Sequence, residues 1–251
     1  MEGPSIVGLS GQMALRQQLD VVANNVANAN TTAYRGDRTL FQSYVSRLNV
    51  PGREVAFVQD RATYVDARGG SIAATGNPLD IAIDGNAFLA VERPGNAGRG
   101  YSRDGRLRVA PDNTLVNGSG RPVLDEGGGH IQMPERFSSV EIRSDGTILA
   151  TTEGRAEQVA RLGLFQPGDV RGIRKGGDGL LDIPQAGLQP VPPGSREVRV
   201  VQGALESSSV QPITEIANLT ALQRAYENVQ RIVSDDDSRI RKMIEALGRP
   251  N

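Results

Sequence analysis

The chain has 251 residues, a formal net charge of -1 and 23% charged residues, so it is long enough for one large or two modest domains and lacks the basic excess of a non-specific nucleic-acid binder. It has no cysteine, which excludes disulfides, thiolate metal sites and cysteine nucleophiles together. Aromatic residues make up 4% with no Trp, against 30 Gly and 14 Pro, a balance that favours a turn-rich middle over an aromatic-lined ligand pocket. The opening Met1-Glu2-Gly3-Pro4-Ser5 carries no basic segment leading into an apolar run, and no stretch approaches the ~20 apolar residues of a spanning helix. Neither a cleavable signal peptide nor membrane insertion is expected.

From about Ser5 to Asn30, Leu15, Leu19, Val22, Val26 and Ala29 recur at spacings of 4, 3, 4 and 3, which predicts an amphipathic helix with a single seam. Ile6, Leu9 and Met13 form a rotated stripe upstream, where Gly8 and Gly11 lower the helical propensity. Asn24, Asn25, Asn28 and Asn30 then crowd the end of this helix. Asn competes for backbone hydrogen bonds and favours caps and turns, so these residues read either as a polar C-terminal cap or as a ladder, Asn24 above Asn28, facing an adjacent subunit. From Thr39 to Ala74 the pattern is mixed and reads as extended connecting chain with some strand.

The middle of the chain changes character. Short apolar runs such as Leu79 to Ile83, Phe88 to Val91 and Arg161 to Phe165 alternate with turn dipeptides and read as strands. Asp84-Gly85, Asp104-Gly105, Asn117-Gly118, Asp145-Gly146 and Asp178-Gly179 are expected to supply the positive-φ positions of tight hairpins and bulges, which argues for an antiparallel β domain. Toward the C-terminus, Leu219, Leu222, Tyr226, Val229, Val233, Asp236, Ile240, Met243 and Leu247 keep a 3, 4 alternation over four heptads, broken in polarity only at Asp236. Pro212 suits the first turn of this helix, and Gly248 with Pro250 suits its end, so it is expected from about Pro212 to Leu247.

Catalytic readings find little support. His130 is the only histidine, so a Ser-His-Asp triad or histidine metal site would rest on it alone. Consecutive helical residues point about 100° apart, so Asp235, Asp236 and Asp237 cannot converge on one cation. Asp236 reads instead as a polar seam residue able to pair with an arginine such as Arg16 across an interface. Gly127 to Gly129 and Gly176-Gly177 lack the following Lys-Ser/Thr of a phosphate loop. No catalytic residue, cofactor-binding residue, metal ligand or cofactor is expected.

Three segments carry a resemblance. Ala23-Asn24-Asn25-Val26-Ala27-Asn28-Ala29-Asn30-Thr31-Thr32-Ala33-Tyr34-Arg35 is similar to the signature of bacterial flagellar rod and hook axial proteins, with Ala33 where that family usually has Gly. The departure implies either a turn that tolerates a Cβ or a cost of ~1 kcal/mol if φ is positive. Thr75 to Phe88 with Tyr101-Ser102-Arg103-Asp104-Gly105-Arg106-Leu107, and Gly203-Ala204-Leu205-Glu206-Ser207-Ser208-Ser209-Val210 with Leu222-Gln223-Arg224-Ala225-Tyr226-Glu227, resemble the family's central and closing motifs. Within the family the opening residues look more like the proximal-rod member than the distal-rod or hook member.

The reading is therefore an α+β chain: an all-β antiparallel central domain flanked by N- and C-terminal amphipathic helices that pair as a coiled-coil-like unit. Residues 1–35 and 204–251 form the inner rod domain, 36–74 an extended connecting segment and 75–203 the central β domain. The resemblance implies a structural rod subunit that helps transmit torque, exported without a cleavable signal through the flagellar type III export apparatus and assembled in the periplasm. Its implied partners are its own copies and other proximal-rod and distal-rod proteins. The polymerisation interface is expected at Leu15, Leu19, Val22, Asn24, Asn25, Val26, Asn28, Leu219, Leu222, Tyr226, Val229, Val233, Asp236, Ile240, Met243 and Leu247. The alternatives are a distal-rod subunit or, in another class, a periplasmic cell-wall hydrolase or glycan-binding module.

Overall fold

A computed structural model of the chain describes residues 3–47, 54–66, 68–96, 98–169, 172–176, 179–185 and 187–247. In chain order the elements are α1 (Gly3–Ala27), β1 (Asp37–Arg47), β2 (Glu54–Val65), β3 (Ile72–Ala74), β4 (Ile81–Asp84), β5 (Phe88–Glu92), β6 (Arg99–Ser102), β7 (Arg108–Val109), β8 (Leu115–Val116), β9 (Ser139–Ile142) and β10 (Thr147–Thr152). They continue as β11 (Arg155–Arg161), β12 (Leu164–Gln166), β13 (Arg174–Lys175), β14 (Leu181–Asp182), β15 (Gln189–Pro190), β16 (Arg199–Gln202), β17 (Ala204–Glu206) and α2 (Pro212–Leu247). The chain divides into a helical unit, holding α1, β1, β2 as far as Tyr64, and α2, and a β unit made of Ala29–Gly36 and Val65–Val210.

In the β unit the largest sheet runs β13-β14-β6-β5-β12-β15, with every pairing antiparallel. Its central strand β5 explains the unbroken apolar run of the sequence. Successive side chains of a strand point to opposite faces, so Leu89 and Val91 join a core with Ile81, Leu115, Val123 and Ile148. Phe88 and Ala90 join a second core with Tyr101, Leu124 and Phe165, where the Tyr101 and Phe165 rings meet edge to face at 5.8 Å. A strand covered on both faces needs no polar alternation. Beside this sheet in sequence, β11-β10-β9 form a three-stranded antiparallel sheet with a register shift between Ile148 and Leu149.

The turn dipeptides divide into two kinds. Gly85, Gly146 and Gly179 have φ of 112°, 87° and 77°, the left-handed backbone that Gly enters without penalty. Gly105 and Gly118 are different: their φ is not positive, and at Gly105 glycine is needed for space. A Cβ on Gly105 would lie 1.9 Å from the Ile81 carbonyl oxygen, and one on Gly118 would lie 2.6 Å from the Asp104 carboxylate. The run from Arg161 to Phe165 is two strands, because Gly163 lies between β11 and β12, where a Cβ would lie 2.6 Å from the Asp125 carbonyl oxygen and 2.8 Å from that of Leu124.

In the helical unit, α2 has the expected bounds. Pro212 occupies its first turn, where a missing N–H is harmless, and Glu215 places a carboxylate near the positive end of the helix dipole. The helix α1 stops at Ala27, before the expected Asn30, with the Asn28 amide donating to the carbonyls of Asn24 and Asn25. The segment from Thr39 to Ala74 holds two long strands, β1 and β2, which pair with each other.

Candidate functional site: the terminal helices and the Asn-rich segment

Within the helical unit α1 and α2 lie side by side and antiparallel. A Cβ on Gly8 would come 2.8 Å from Val233 Cγ2, and the Gln12 side-chain amide donates to the Tyr226 hydroxyl at 3.1 Å. At the other end of α1, Val21, Val22 and Asn25 share a groove of roughly 320 Å³ with Asp37, Glu215 and Leu222. Gly8 therefore lowers helix propensity in return for close approach, whereas Gly11 faces open space.

The seams are only half covered. Leu15, Leu19, Val22 and Val26 on α1, and Leu219, Leu222, Tyr226, Val229, Val233 and Asp236 on α2, are all of intermediate burial. Met243 is exposed, and Ile240 and Leu247 belong to α2 but their side chains lie outside the described residues. Off the seams, Met13 is 66% exposed, Ile213 86% and Ile232 67%. Asp236 pairs within its own helix, 3.8 Å from Arg239.

The three asparagines expected at the interface do different things. Asn25 is buried and forms a two-way bridge to the start of β1: its Nδ2 donates to the Asp37 carbonyl and its Oδ1 accepts from the Asp37 amide, both at 2.9 Å. Its polar groups are thus engaged inside the unit, and it anchors β1 to α1. Asn24 is exposed, and Asn28 Nδ2 donates to both the Asn24 carbonyl and its Oδ1 at 3.0 and 2.8 Å, so the ladder read from their spacing is a bond within one helix end.

The following residues belong to the β unit. Ala33 has φ of 57°, so the second of the two readings of its departure from Gly holds, and a Cβ sits in left-handed backbone. Its amide donates to the Glu206 carbonyl at 2.8 Å. Arg35, Arg103 and Glu206 are all buried, and Arg103 Nη1 donates to Glu206 Oε2 at 3.1 Å. Burial lowers the Arg103 pKa to about 10 against the opposing pull of Glu206, and lowers that of Arg35 as well, which leaves Arg103 charged at neutral pH. Sequence reasoning missed this cluster as a site, although all three residues fall in segments singled out for their resemblance.

His130 sits at the surface with Nε2 3.1 Å from Glu92 Oε2. Among the described residues no group of three or more His, Asp or Glu side chains could hold a metal ion, and no helix is long and apolar enough to cross a membrane.

Comparison with known proteins matches three family models in the order of the chain. Residues 7–35 match that described as flagella basal body rod protein, residues 82–150 the flagellar hook protein FlgE/F/G D1 domain, and residues 201–246 the flagellar basal body rod FlgEFG protein C-terminal. Among curated relatives, the flagellar basal-body rod protein FlgF of Caulobacter vibrioides is 37% identical across the whole of both chains. FlgF of Mesorhizobium japonicum is 36% identical over 99% of each. The flagellar basal-body rod protein FlgG of Bacillus subtilis is 26% identical over 94% of this chain and 96% of its own.

Proposed function

We propose a polymerising role for the terminal helices from one premise: this chain belongs to the flagellar basal-body rod protein family. Its full-length likeness to FlgF relatives makes it FlgF-like within that family, and it is a structural subunit of the flagellar basal-body rod. Rod proteins are its partners. In our reading it joins its own copies, together with other proximal-rod proteins and the distal-rod protein, through α1 and α2 paired in a coiled-coil-like manner. There it forms part of the proximal rod and transmits torque as a section of the drive shaft.

The observation that carries this reading is the half-covered seam. Fully burying one Leu, Ile or Val side chain contributes ~1.5–3 kcal/mol, and α1 with α2 leaves Leu222, Val229 and Val233 short of that while Met13, Ile213 and Ile232 face solvent. Helices draw most of their stability from tertiary packing of the apolar face, and neighbouring copies supply the missing cover. A head-to-tail arrangement of such units makes an open helical array. Export through the type III apparatus without a cleavable signal, and assembly in the periplasm, complete the proposal. No catalytic role is included, since the relatives are named as flagellar basal-body rod proteins.

Leu222→Asp and Val229→Asp test the seam. Each should abolish co-purification with basal bodies and motility while leaving the thermal transition of the β unit unchanged. Motility at the wild-type level with either substitution would contradict a packed seam.

A further inference from the structure

The three segments that resemble the flagellar family are far apart in sequence, yet each contributes one charged side chain to a single buried cluster: Arg35 from the first, Arg103 from the second and Glu206 from the third. Their exposures are 4%, 5% and 2%. Arg103 is held on every side. Its Nε donates to the Ala87 carbonyl at 3.0 Å, its Nη atoms to the carbonyls of Ile83 and Gly85, and Nη1 also to Glu206. The other Glu206 oxygen accepts from the Gly70 amide at 3.1 Å. Both guanidinium groups lie against the Phe88 ring, 5.2 Å from its centroid for Arg35 and 5.4 Å for Arg103. Although a cleft opens beside the cluster, the Arg103 donors are engaged by the protein, so the arrangement is built to hold chain and not a ligand.

Main-chain bonds around it join the first and third of these segments and tie Gly36 to Asp66. Ala33 N–H donates to the Glu206 carbonyl at 2.8 Å, Ser209 N–H to the Tyr34 carbonyl at 2.9 Å and Asp66 N–H to the Gly36 carbonyl at 2.8 Å. Gly36 N–H donates to Ser209 Oγ at 3.0 Å. Gly36, Asp66 and Ser209 lie within two residues of three of the four points where the chain passes between the β unit and the helical unit, those after Gly36, after Tyr64 and after Val210. Ala33 sits in left-handed backbone in the midst of these bonds, a conformation that persists only where its surroundings over-determine it.

We propose that Arg35, Arg103 and Glu206 form a clasp that keeps these chain crossings fastened to the β unit whether or not the terminal helices are packed. Tying Gly36 to Asp66 closes the excursion 37–64 at its base, so its loop-closure entropy is met by the β unit alone. Removing one member of a buried ion pair leaves the other uncompensated, which makes Glu206 the sensitive point. Order in α1 and α2 is thereby separated from order at the junction. This inference does not depend on how the helices assemble.

Residue-resolved amide exchange on the full-length monomer tests it. In the wild type, the amides of Ala33, Gly36, Asp66 and Ser209 should exchange within about tenfold of the core amides of Ala90 and Val123, as members of one cooperative unit do. Glu206→Gln should speed exchange at Ala33 and Ser209 by about tenfold or more relative to Val123. Ser209→Ala, a milder change, should speed exchange at Gly36 and leave Ala33 unaltered. Wild-type exchange at these four amides as fast as in unstructured chain would overturn the clasp. So would a Glu206→Gln effect spread evenly over Val123, which would make the cluster ordinary core packing, or no effect of Ser209→Ala at Gly36.

Discussion

The β unit and the helical unit treat apolar side chains in opposite ways. In β5, Phe88, Leu89, Ala90 and Val91 are completely buried, because sheets and turns of the same chain cover both faces of the strand. In α2, Leu222, Tyr226, Val229 and Val233 follow an equally regular pattern and stay half covered. Periodicity says which side of an element is apolar; it does not say whether the same chain supplies the cover. In the proposed polymerising role, that difference separates a part that is complete in one subunit from a part that neighbouring copies complete.

The largest expected effects set the two units against each other. Leu89→Ala should destabilise the β unit by about 4 kcal/mol, in the range for a fully buried leucine, whereas Leu222→Ala should cost the isolated protein less than about 1 kcal/mol because there the helices lack the cover that neighbouring copies supply. Urea unfolding followed by circular dichroism measures both. Equal losses would make the helical unit self-sufficient and break the comparison. Next in size, Glu206→Gln should loosen the junction by about 1.4 kcal/mol or more, the equivalent of tenfold faster exchange at Ala33 and Ser209, with a smaller loss in the global stability of the β unit. Amide exchange reads the local loss and urea unfolding the global one, and equal losses at Ala33 and Val123 would return the cluster to ordinary core packing.

Ala33→Gly acts in the other direction. Relief of the positive φ should stabilise the β unit by about 1 kcal/mol, offset in part by the greater freedom of Gly in the unfolded chain. A lower midpoint for this variant would remove strain from the account of Ala33. The smallest effect on stability belongs to the exposed apolar residues. Ile213→Ser and Met13→Ser should change unfolding of the monomer by less than about 0.5 kcal/mol, yet reduce incorporation into basal bodies, as measured by quantitative blotting of the purified structures. Unchanged incorporation for both would take these positions out of the contact surface.

Much of this architecture was legible from the residues. The bounds of α2 follow from Pro212 and four heptads, and β5 follows from a short apolar run between turn signals. The strands β1 and β2 were harder, because in Thr39-Leu40-Phe41-Gln42-Ser43-Tyr44-Val45 both alternating sets carry apolar residues and no period-2 contrast survives. Gly105 looked like a turn glycine, but its need for space is set by the main chain of Ile81, distant in sequence. The same limit hid the buried cluster: Arg103 and Glu206 are 103 positions apart, and no local pattern reports a pair that only the folded β unit brings together. Asn25 was legible as unusual but not in its task, since its partner is the main chain of Asp37.

The central claim, a β unit complete in the monomer and helices completed by assembly, is tested most directly by backbone ¹⁵N relaxation on dilute, verified monomer. Order parameters should be near 0.85 across 81–92 and 147–152, as in rigid backbone, and below about 0.6 across 8–27 and 213–236. Values near 0.85 in both sets would contradict it.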